Sequence, residues 1–154
     1  MKIQWKKLIV SIVLPLAVGG VSALLTRKGM QDFASVPQPP LSPPAWLFPV
    51  VWTVLYILMG VACYLVWVSP QRDKNALFAY GIQLFFNFCW SLLFFGAKNY
   101  LFAFFWLLLL WAAILWTLVL FYRTRKPAGY LLIPYLVWVA FAGYLNLGVY
   151  LLNR

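Results

Sequence analysis

The sequence predicts an all-α membrane protein, folded as a bundle of five transmembrane helices. The first observation is composition: 66% of the residues are hydrophobic and 9% are charged, which lies well outside the usual range of soluble domains. The second is patterning, because five apolar runs each approach the roughly 20 residues that a helix needs to cross a bilayer. Since 154 residues allow one domain by length, we expect residues 1–154 to form a single transmembrane unit.

The five predicted helices cover approximately residues 8–26, 45–68, 76–97, 100–122 and 129–152. The first run follows lysines and contains Val21-Ser22-Ala23, so a cleaved signal peptide is an alternative. The run is longer than the roughly 7–15 residues of a signal-peptide core, which favours a retained helix. Small and polar residues recur along one face of it, and we expect another helix or a ligand to approach closely there. They are Ser11, Pro15, Gly19, Ser22 and Thr26.

The fourth run is apolar on every side until Thr117. A helix without a polar face gives no sign of which side is buried. We expect this helix to present the most surface to lipid or to a second subunit.

The connection between the first two helices, residues 27–44, has neither a helical nor a strand period. It holds five prolines, which are Pro37, Pro39, Pro40, Pro43 and Pro44. A long connection of this kind is usually functional or disordered, and dense proline favours an extended path. We predict a lid over the helix ends, with Gln31 and Asp32 supplying its polar contacts.

The charge distribution predicts the orientation in the membrane. The net charge is +10, but the twelve basic residues lie between the apolar runs and form no basic face of the kind that binds nucleic acid. With the N-terminus inside, eight of them are cytoplasmic and four are external, as the positive-inside rule requires. We therefore expect the N-terminus inside, with the C-terminus and the lid outside.

The ionisable residues exclude several kinds of chemistry. The chain has no histidine, and Asp32 and Asp73 are its two acidic residues. It therefore lacks the commonest general base, the commonest metal ligand and the intramembrane carboxylates of proton-driven transporters. Cys63 and Cys89 lie inside apolar runs, where unpaired buried thiols are the default. We expect no metal site and no resident cofactor.

A candidate pocket wall lies on the second helix. Its residues at steps of three and four are Pro49, Trp52, Tyr56, Gly60, Cys63 and Trp67, which share one face. Rings with a polar tip beside small gaps suit a planar ligand that carries a few polar groups. Ordinary helix packing, with an interfacial aromatic belt at Trp46 and Phe48, explains the same residues, and both interpretations stay open.

The third helix carries a row of polar side chains, Gln83, Asn87 and Ser91, with Trp90 and Phe94 beside it. An amide facing hydrocarbon is costly, so these groups should face the bundle interior and find partners there. Hydrogen bonds to other helices and contacts to a ligand are the two alternatives.

The fifth helix combines aromatic, small and polar residues on one face: Pro134, Tyr135, Trp138, Ala142 and Asn146. Pro134 should kink it. Near its end Leu147, Tyr150 and Arg154 fit a loose sterol-contact pattern, although interfacial anchoring explains them equally.

Three spaced motifs carry a resemblance to a known family. They are Pro43-Pro44-x-Trp46-x-Phe48-Pro49-x-x-Trp52-x-x-Leu55-Tyr56-x-x-Met59-Gly60, Gln83-Leu84-x-x-Asn87-x-x-Trp90-Ser91-x-x-Phe94-Phe95 and Pro134-Tyr135-x-x-Trp138-x-x-Phe141-Ala142-x-x-Leu145-Asn146. Along the whole chain the sequence resembles bacterial members of the translocator protein (TspO/MBR) family, the tryptophan-rich sensory proteins or peripheral-type benzodiazepine receptors.

The resemblance implies a five-helix bundle in the bacterial cell membrane, commonly a homodimer surrounded by membrane lipid. It implies that porphyrins and benzodiazepine-type molecules bind in a pocket closed by the lid, and that animal members bind cholesterol. The residues it places in the pocket are Trp46, Phe48, Trp52, Tyr56, Asn87, Trp90, Ser91, Trp138 and Ala142, with Gln31, Asp32 and Pro44 of the lid.

Three functions follow as hypotheses. The first is a receptor or sensor for tetrapyrroles, with metal-free protoporphyrin favoured because iron would lack histidine. The second is light-dependent porphyrin degradation, in which Trp52 and Trp138 donate electrons or trap radicals while the excited macrocycle and oxygen perform the chemistry. The third is transport of porphyrin or another small hydrophobic molecule, although no inverted repeat or buried charge is evident in the sequence.

Overall fold

The computed structural model describes residues 2–154 and confirms an all-α bundle with five helical segments long and apolar enough to span a membrane. The helices are α1 (Trp5–Leu25), α2 (Arg27–Phe33), α3 (Leu47–Trp67), α4 (Lys74–Ser91), α5 (Tyr100–Thr124), α6 (Lys126–Leu131) and α7 (Ile133–Asn153). A π-helical turn, Leu92–Gly96, extends α4. The predicted spans match these segments to within a few residues at their ends.

Helix α1 packs along α3 through close backbone contact. A Cβ atom added at Gly60 would lie 2.5 Å from the Cα atom of Ile12, so only glycine allows this approach. Gly19 of α1 similarly lies directly against the ring of Tyr56. The predicted small face of the first helix is confirmed, since Ser11, Pro15, Ser22 and Thr26 are buried.

The prediction for the fourth span is wrong. Within the most apolar window of each span, 33% of α5 is buried but only 17% of α1, so α1 is the more peripheral helix. Helix α5 packs against both α4 and α7 and buries a stripe that includes Leu107, Leu110 and Ile114. Its sequence is apolar on every side, so the pattern could not reveal that stripe.

The lid is also more ordered than its sequence predicted. Residues 27–33, expected to lack a helical period, form α2. Phe33 packs edge-on against Phe94 and Phe95, with ring centroids 5.3 and 5.5 Å apart, and Gly29 lies against the Phe95 carbonyl. These tertiary contacts stabilise a helix too short to persist alone, and the proline-rich path begins only after it.

The fifth span is divided rather than merely kinked. Helix α6 ends at Leu131 and α7 begins at Ile133, with Pro134 in the first turn of α7, where proline is tolerated. Helix α6 packs against α3 and α5, while α7 continues along α5. A groove lies beside this break, between the N-terminal halves of α3 and α7.

Candidate functional site

A buried chain of hydrogen bonds joins α3, α4 and α7 at the centre of the bundle. The Tyr56 hydroxyl donates to Oδ1 of Asn87 at 3.3 Å, and Nδ2 of Asn87 donates to the Tyr135 hydroxyl at 2.8 Å. The Tyr135 hydroxyl in turn donates to Oε1 of Gln83 at 2.7 Å. Four buried side chains from three helices are thus joined in one hydrogen-bonded chain.

The spacing of α4 explains this arrangement. Gln83 and Asn87 are one turn apart, so both point to the same side of the helix. Their amides would be costly in hydrocarbon, and both side chains are 1% exposed. Gln83 and Asn87 therefore form hydrogen bonds to other helices, which is one of the two alternatives that the sequence left open.

A second polar chain lies at the end of the bundle that carries the lid. The indole nitrogen of Trp90 donates to Oδ1 of Asn146 at 3.0 Å, and Nδ2 of Asn146 donates to the backbone carbonyl of Tyr100 at 2.8 Å. The Trp90 ring stacks on Phe94 with centroids 5.2 Å apart. Trp90 therefore connects α4 to α7 beneath the lid.

The predicted aromatic residues of the second and fifth spans converge as expected, but they contact each other directly. Trp52 stacks on Tyr56 at 5.6 Å and meets Tyr135 edge-on at 6.3 Å. Phe48 meets Trp138 at 5.9 Å. The buried indole nitrogen of Trp138 has no hydrogen-bond partner within residues 2–154, which leaves one donor available in this aromatic cluster.

The adjacent hollow is a groove of about 700 Å³ between α3 and α7. Its walls are apolar and aromatic: Val50, Val51, Val54, Leu55, Leu58, Ile133, Pro134, Val137, Trp138 and Phe141. Its volume lies within the roughly 300–1,000 Å³ of small-molecule sites. Because Val50, Val54 and Val137 are exposed, the groove opens sideways from the bundle, toward the lipid.

Of the predicted pocket residues, Trp138 is the one that lines this groove. The predicted pocket wall on α3 is the face that carries Trp52 and Tyr56, whereas the groove is lined by the neighbouring face. That face is aliphatic and resembles ordinary core, so its composition gave no signal. Pro134, which the sequence predicted to kink the fifth helix, is part of the groove wall.

The proline-rich part of the lid lies over α7. The Tyr144 hydroxyl donates to the Pro40 carbonyl at 2.6 Å, and Nδ2 of Asn153 donates to the Pro37 carbonyl at 3.1 Å. Pro39 packs against Gly148, where an added Cβ atom would lie 2.6 Å from the proline ring. The lid is therefore fixed to the C-terminal half of α7.

Several predicted lid contacts do not reach the aromatic cluster. Asp32 forms an ion pair with Lys98 at 2.9 Å, and the hydrogen bond and positive charge of Lys98 lower the pKa of Asp32. Trp46 is 66% exposed, and Gln31 and Pro44 are exposed as well. Ser91 and Ala142, in contrast, are buried within the bundle. The roles of all these residues in ligand binding stay predictions.

The structure offers little to a metal ion. No group of three or more histidine, cysteine, aspartate or glutamate side chains occurs within the described part of the chain. Cys63 and Cys89 are free thiols and are half-buried.

These features define an integral membrane protein with an aromatic and amide-rich interior beneath a proline-rich lid. The family model described as the TspO/MBR family matches residues 11–152. The chain belongs to this family.

Curated relatives agree over nearly the whole chain. It is 40% identical over 149 residues to the tryptophan-rich protein TspO of Archaeoglobus fulgidus, covering 96% of this chain and 97% of the relative. It is 35% identical over 147 residues to the translocator protein of Bos taurus, covering 92% and 87%. It is 32% identical over 153 residues to the tryptophan-rich sensory protein of Cereibacter sphaeroides, covering 99% and 95%.

Proposed function

We propose that the protein is a membrane receptor or sensor that binds a flat, largely apolar molecule in the groove between α3 and α7. The relatives named as a sensory protein and as translocator proteins support a receptor role. The ligand we propose is metal-free protoporphyrin, and a benzodiazepine-type molecule would occupy the same place. The observation that carries the proposal is the 700 Å³ groove beside Trp138.

The groove matches the shape and polarity of such a ligand. A porphyrin has two flat apolar faces and carries its carboxylates at one edge. The apolar side chains of α3 would cover one face, while Trp138 and Phe141 provide flat aromatic surface from α7. The carboxylates at the edge of the ring would extend from the open side of the groove toward the lipid headgroups.

Binding can be tested by titrating purified protein with protoporphyrin in darkness while following tryptophan fluorescence. Trp138→Ala removes the largest ring in the groove wall and should weaken binding. Trp116→Ala is the matched control, because Trp116 lies on α5 and is 43% exposed. Equal affinities for the two variants would contradict the proposed site.

We propose light-dependent degradation of bound porphyrin as a second function. The excited macrocycle and dioxygen would perform the chemistry, and the protein would position the ring. Two tryptophans favour this function: Trp138 borders the groove, and Trp52 stacks on Tyr56 within a continuous aromatic cluster. Trp138→Phe and Trp52→Phe should preserve binding in darkness but slow loss of the porphyrin spectrum in light. Parental rates in both variants would exclude electron donation by these indoles.

We also propose that the protein forms a homodimer. A second groove, about 450 Å³ in volume and apolar throughout, lies between α1 and α4. Gly81 opens onto free space there, with no atom within 4 Å of an added Cβ atom. Gly81→Trp should shift the detergent-solubilised protein toward monomer in light scattering, whereas Leu109→Trp on α5 should not. A dimer that is unaffected by Gly81→Trp would place the interface elsewhere.

A further inference from the structure

The end of the bundle away from the lid carries most of the positive charge of the chain. Because the spans alternate in direction, eight of the twelve basic residues lie at this end, together with the acidic residue Asp73. The basic residues are Lys2, Lys6, Lys7, Arg72, Lys74, Arg123, Arg125 and Lys126. Asp73 caps α4, since its Oδ1 accepts a hydrogen bond from the backbone N–H of Asn75 at 2.8 Å. One carboxylate cannot balance eight cations, so this end keeps a large excess of positive charge.

Three of these cations are concentrated at the tight turn between α5 and α6. Arg123 lies in the last turn of α5, Arg125 connects the two helices and Lys126 begins α6. The turn is tight because α6 folds back onto α5: a Cβ atom added at Gly129 would lie 2.6 Å from the Cβ atom of Tyr122. Positive charges held this close together repel one another, and an anion placed among them would be attracted to all three.

Two exposed tyrosine rings lie beside this turn. Tyr122 and Tyr130 are 40% and 56% exposed, and their rings meet edge-on with centroids 5.7 Å apart. Tyr130 follows Lys126 by four residues, which places both on the same face of α6. Arg123 and Lys126 are exposed as well. The surface of the turn thus combines two accessible cations with two amphipathic rings.

We propose that Tyr122, Arg123, Lys126 and Tyr130 bind the headgroup of an anionic phospholipid from the surrounding membrane. The guanidinium of Arg123 can donate two parallel hydrogen bonds to phosphate oxygens, and Lys126 adds a second positive charge. The tyrosine rings lie beside the glycerol backbone and the start of the acyl chains, because amphipathic rings favour the level of the headgroups. A lipid is favoured over a soluble phosphate, since only a lipid has apolar groups to place against the rings.

The opposite end of the bundle is a weaker candidate. It carries four basic residues, and one of them, Lys98, is paired with Asp32 at 2.9 Å. The exposed cations Arg27 and Lys28 of α2 therefore provide a comparison of equal charge. The proposed lipid site goes beyond the proposed receptor function, because it depends neither on the groove between α3 and α7 nor on which face of the membrane the turn occupies.

Native mass spectrometry of the detergent-solubilised protein, mixed with equal amounts of phosphatidylglycerol and phosphatidylcholine, tests the proposal. We expect the parent to retain several-fold more phosphatidylglycerol than phosphatidylcholine. Arg123→Gln/Lys126→Gln should lower this preference by about fivefold for each charge removed. The control Arg27→Gln/Lys28→Gln removes the same charge from the lid end and should keep the preference. Equal retention of the two lipids by the parent, or the same loss in both double variants, would overturn the proposal.

The detergent-unfolding midpoint provides a second measurement, and it also shows whether each variant is folded. A ligand that binds the folded state raises this midpoint. Phosphatidylglycerol should therefore raise it in the parent and in Arg27→Gln/Lys28→Gln, but not in Arg123→Gln/Lys126→Gln.

Glycerol phosphate at the same concentration separates a lipid from a soluble phosphate. It should leave the midpoint of the parent unchanged, because it lacks the acyl chains that keep the headgroup beside Tyr122 and Tyr130. An equal rise with glycerol phosphate would assign the turn to a soluble phosphate and refute the lipid site. A rise with phosphatidylglycerol in Arg123→Gln/Lys126→Gln equal to that of the parent would place the lipid elsewhere.

Discussion

Tyr135→Phe is the substitution that best tests the central hydrogen-bond chain. Tyr135 is 1% exposed and takes part in two interhelical hydrogen bonds, one from Asn87 at 2.8 Å and one to Gln83 at 2.7 Å. Interhelical hydrogen bonds in membrane proteins contribute about 0.6 kcal/mol on average and up to about 1.7 kcal/mol each. Since phenylalanine keeps the ring, the loss comes from these two bonds and from the partner groups left unpaired, and it should be about 1–3 kcal/mol.

The free energy of unfolding can be measured by titrating the protein in mixed micelles with a denaturing detergent. Tyr56→Phe is the matched comparison, because Tyr56 contributes a single bond to the chain and that bond is longer, at 3.3 Å. We expect its effect to be less than about 1 kcal/mol. The interpretation fails if Tyr135→Phe is as stable as the parent, or if it loses less stability than Tyr56→Phe.

Three further predictions concern packing, the lid and orientation. Gly60→Ala should destabilise the protein, because its Cβ atom would lie 2.5 Å from the backbone of α1. Gly20→Ala should not, because its Cβ atom would meet no atom within 4 Å. Equal unfolding midpoints for the two variants would contradict the close helix contact. Lys98 lowers the pKa of Asp32, so the ion pair should stabilise the lid above the ordinary aspartate pKa of about 3.9 and lose that effect as the pH falls through the lowered pKa. In limited proteolysis the parental lid should be cut faster below the lowered pKa than at neutral pH, whereas the Lys98→Met lid should be cut at the same rate at these two pH values. Protection of the Lys98→Met lid equal to that of the parent at neutral pH would exclude the ion pair as an anchor. An impermeant maleimide should label Ser42→Cys from outside intact cells, and labelling only after the inner face is exposed would reverse the proposed orientation.

The polar rows in the sequence predicted much of the interior. Amides at Gln83 and Asn87 had to face inward because hydrocarbon cannot satisfy them, and the structure places them there. The pattern did not reveal their partners, since Tyr56 and Tyr135 come from helices distant in the chain. Which side of α5 is buried was equally hidden, because a uniformly apolar helix carries no period.

The groove and the helical part of the lid could not be predicted from the sequence. The groove borders the break between α6 and α7, and Ile133 and Pro134 beside that break form part of its wall. Helix α2 forms because Phe33 and Gly29 fit the π-helical turn of α4. Neither the position of the groove nor the contacts of α2 with the π-helical turn produce a periodic pattern in the sequence.

The central claim is that a planar ligand occupies the groove between α3 and α7, and filling that groove tests it most directly. Val51→Trp and Val137→Trp would each place an indole in the groove from opposite walls, while Val119→Trp adds the same ring to α5, outside it. Protoporphyrin titrations in darkness should show binding lost in the two groove variants and retained in Val119→Trp. Parental affinity in both groove variants would contradict the account.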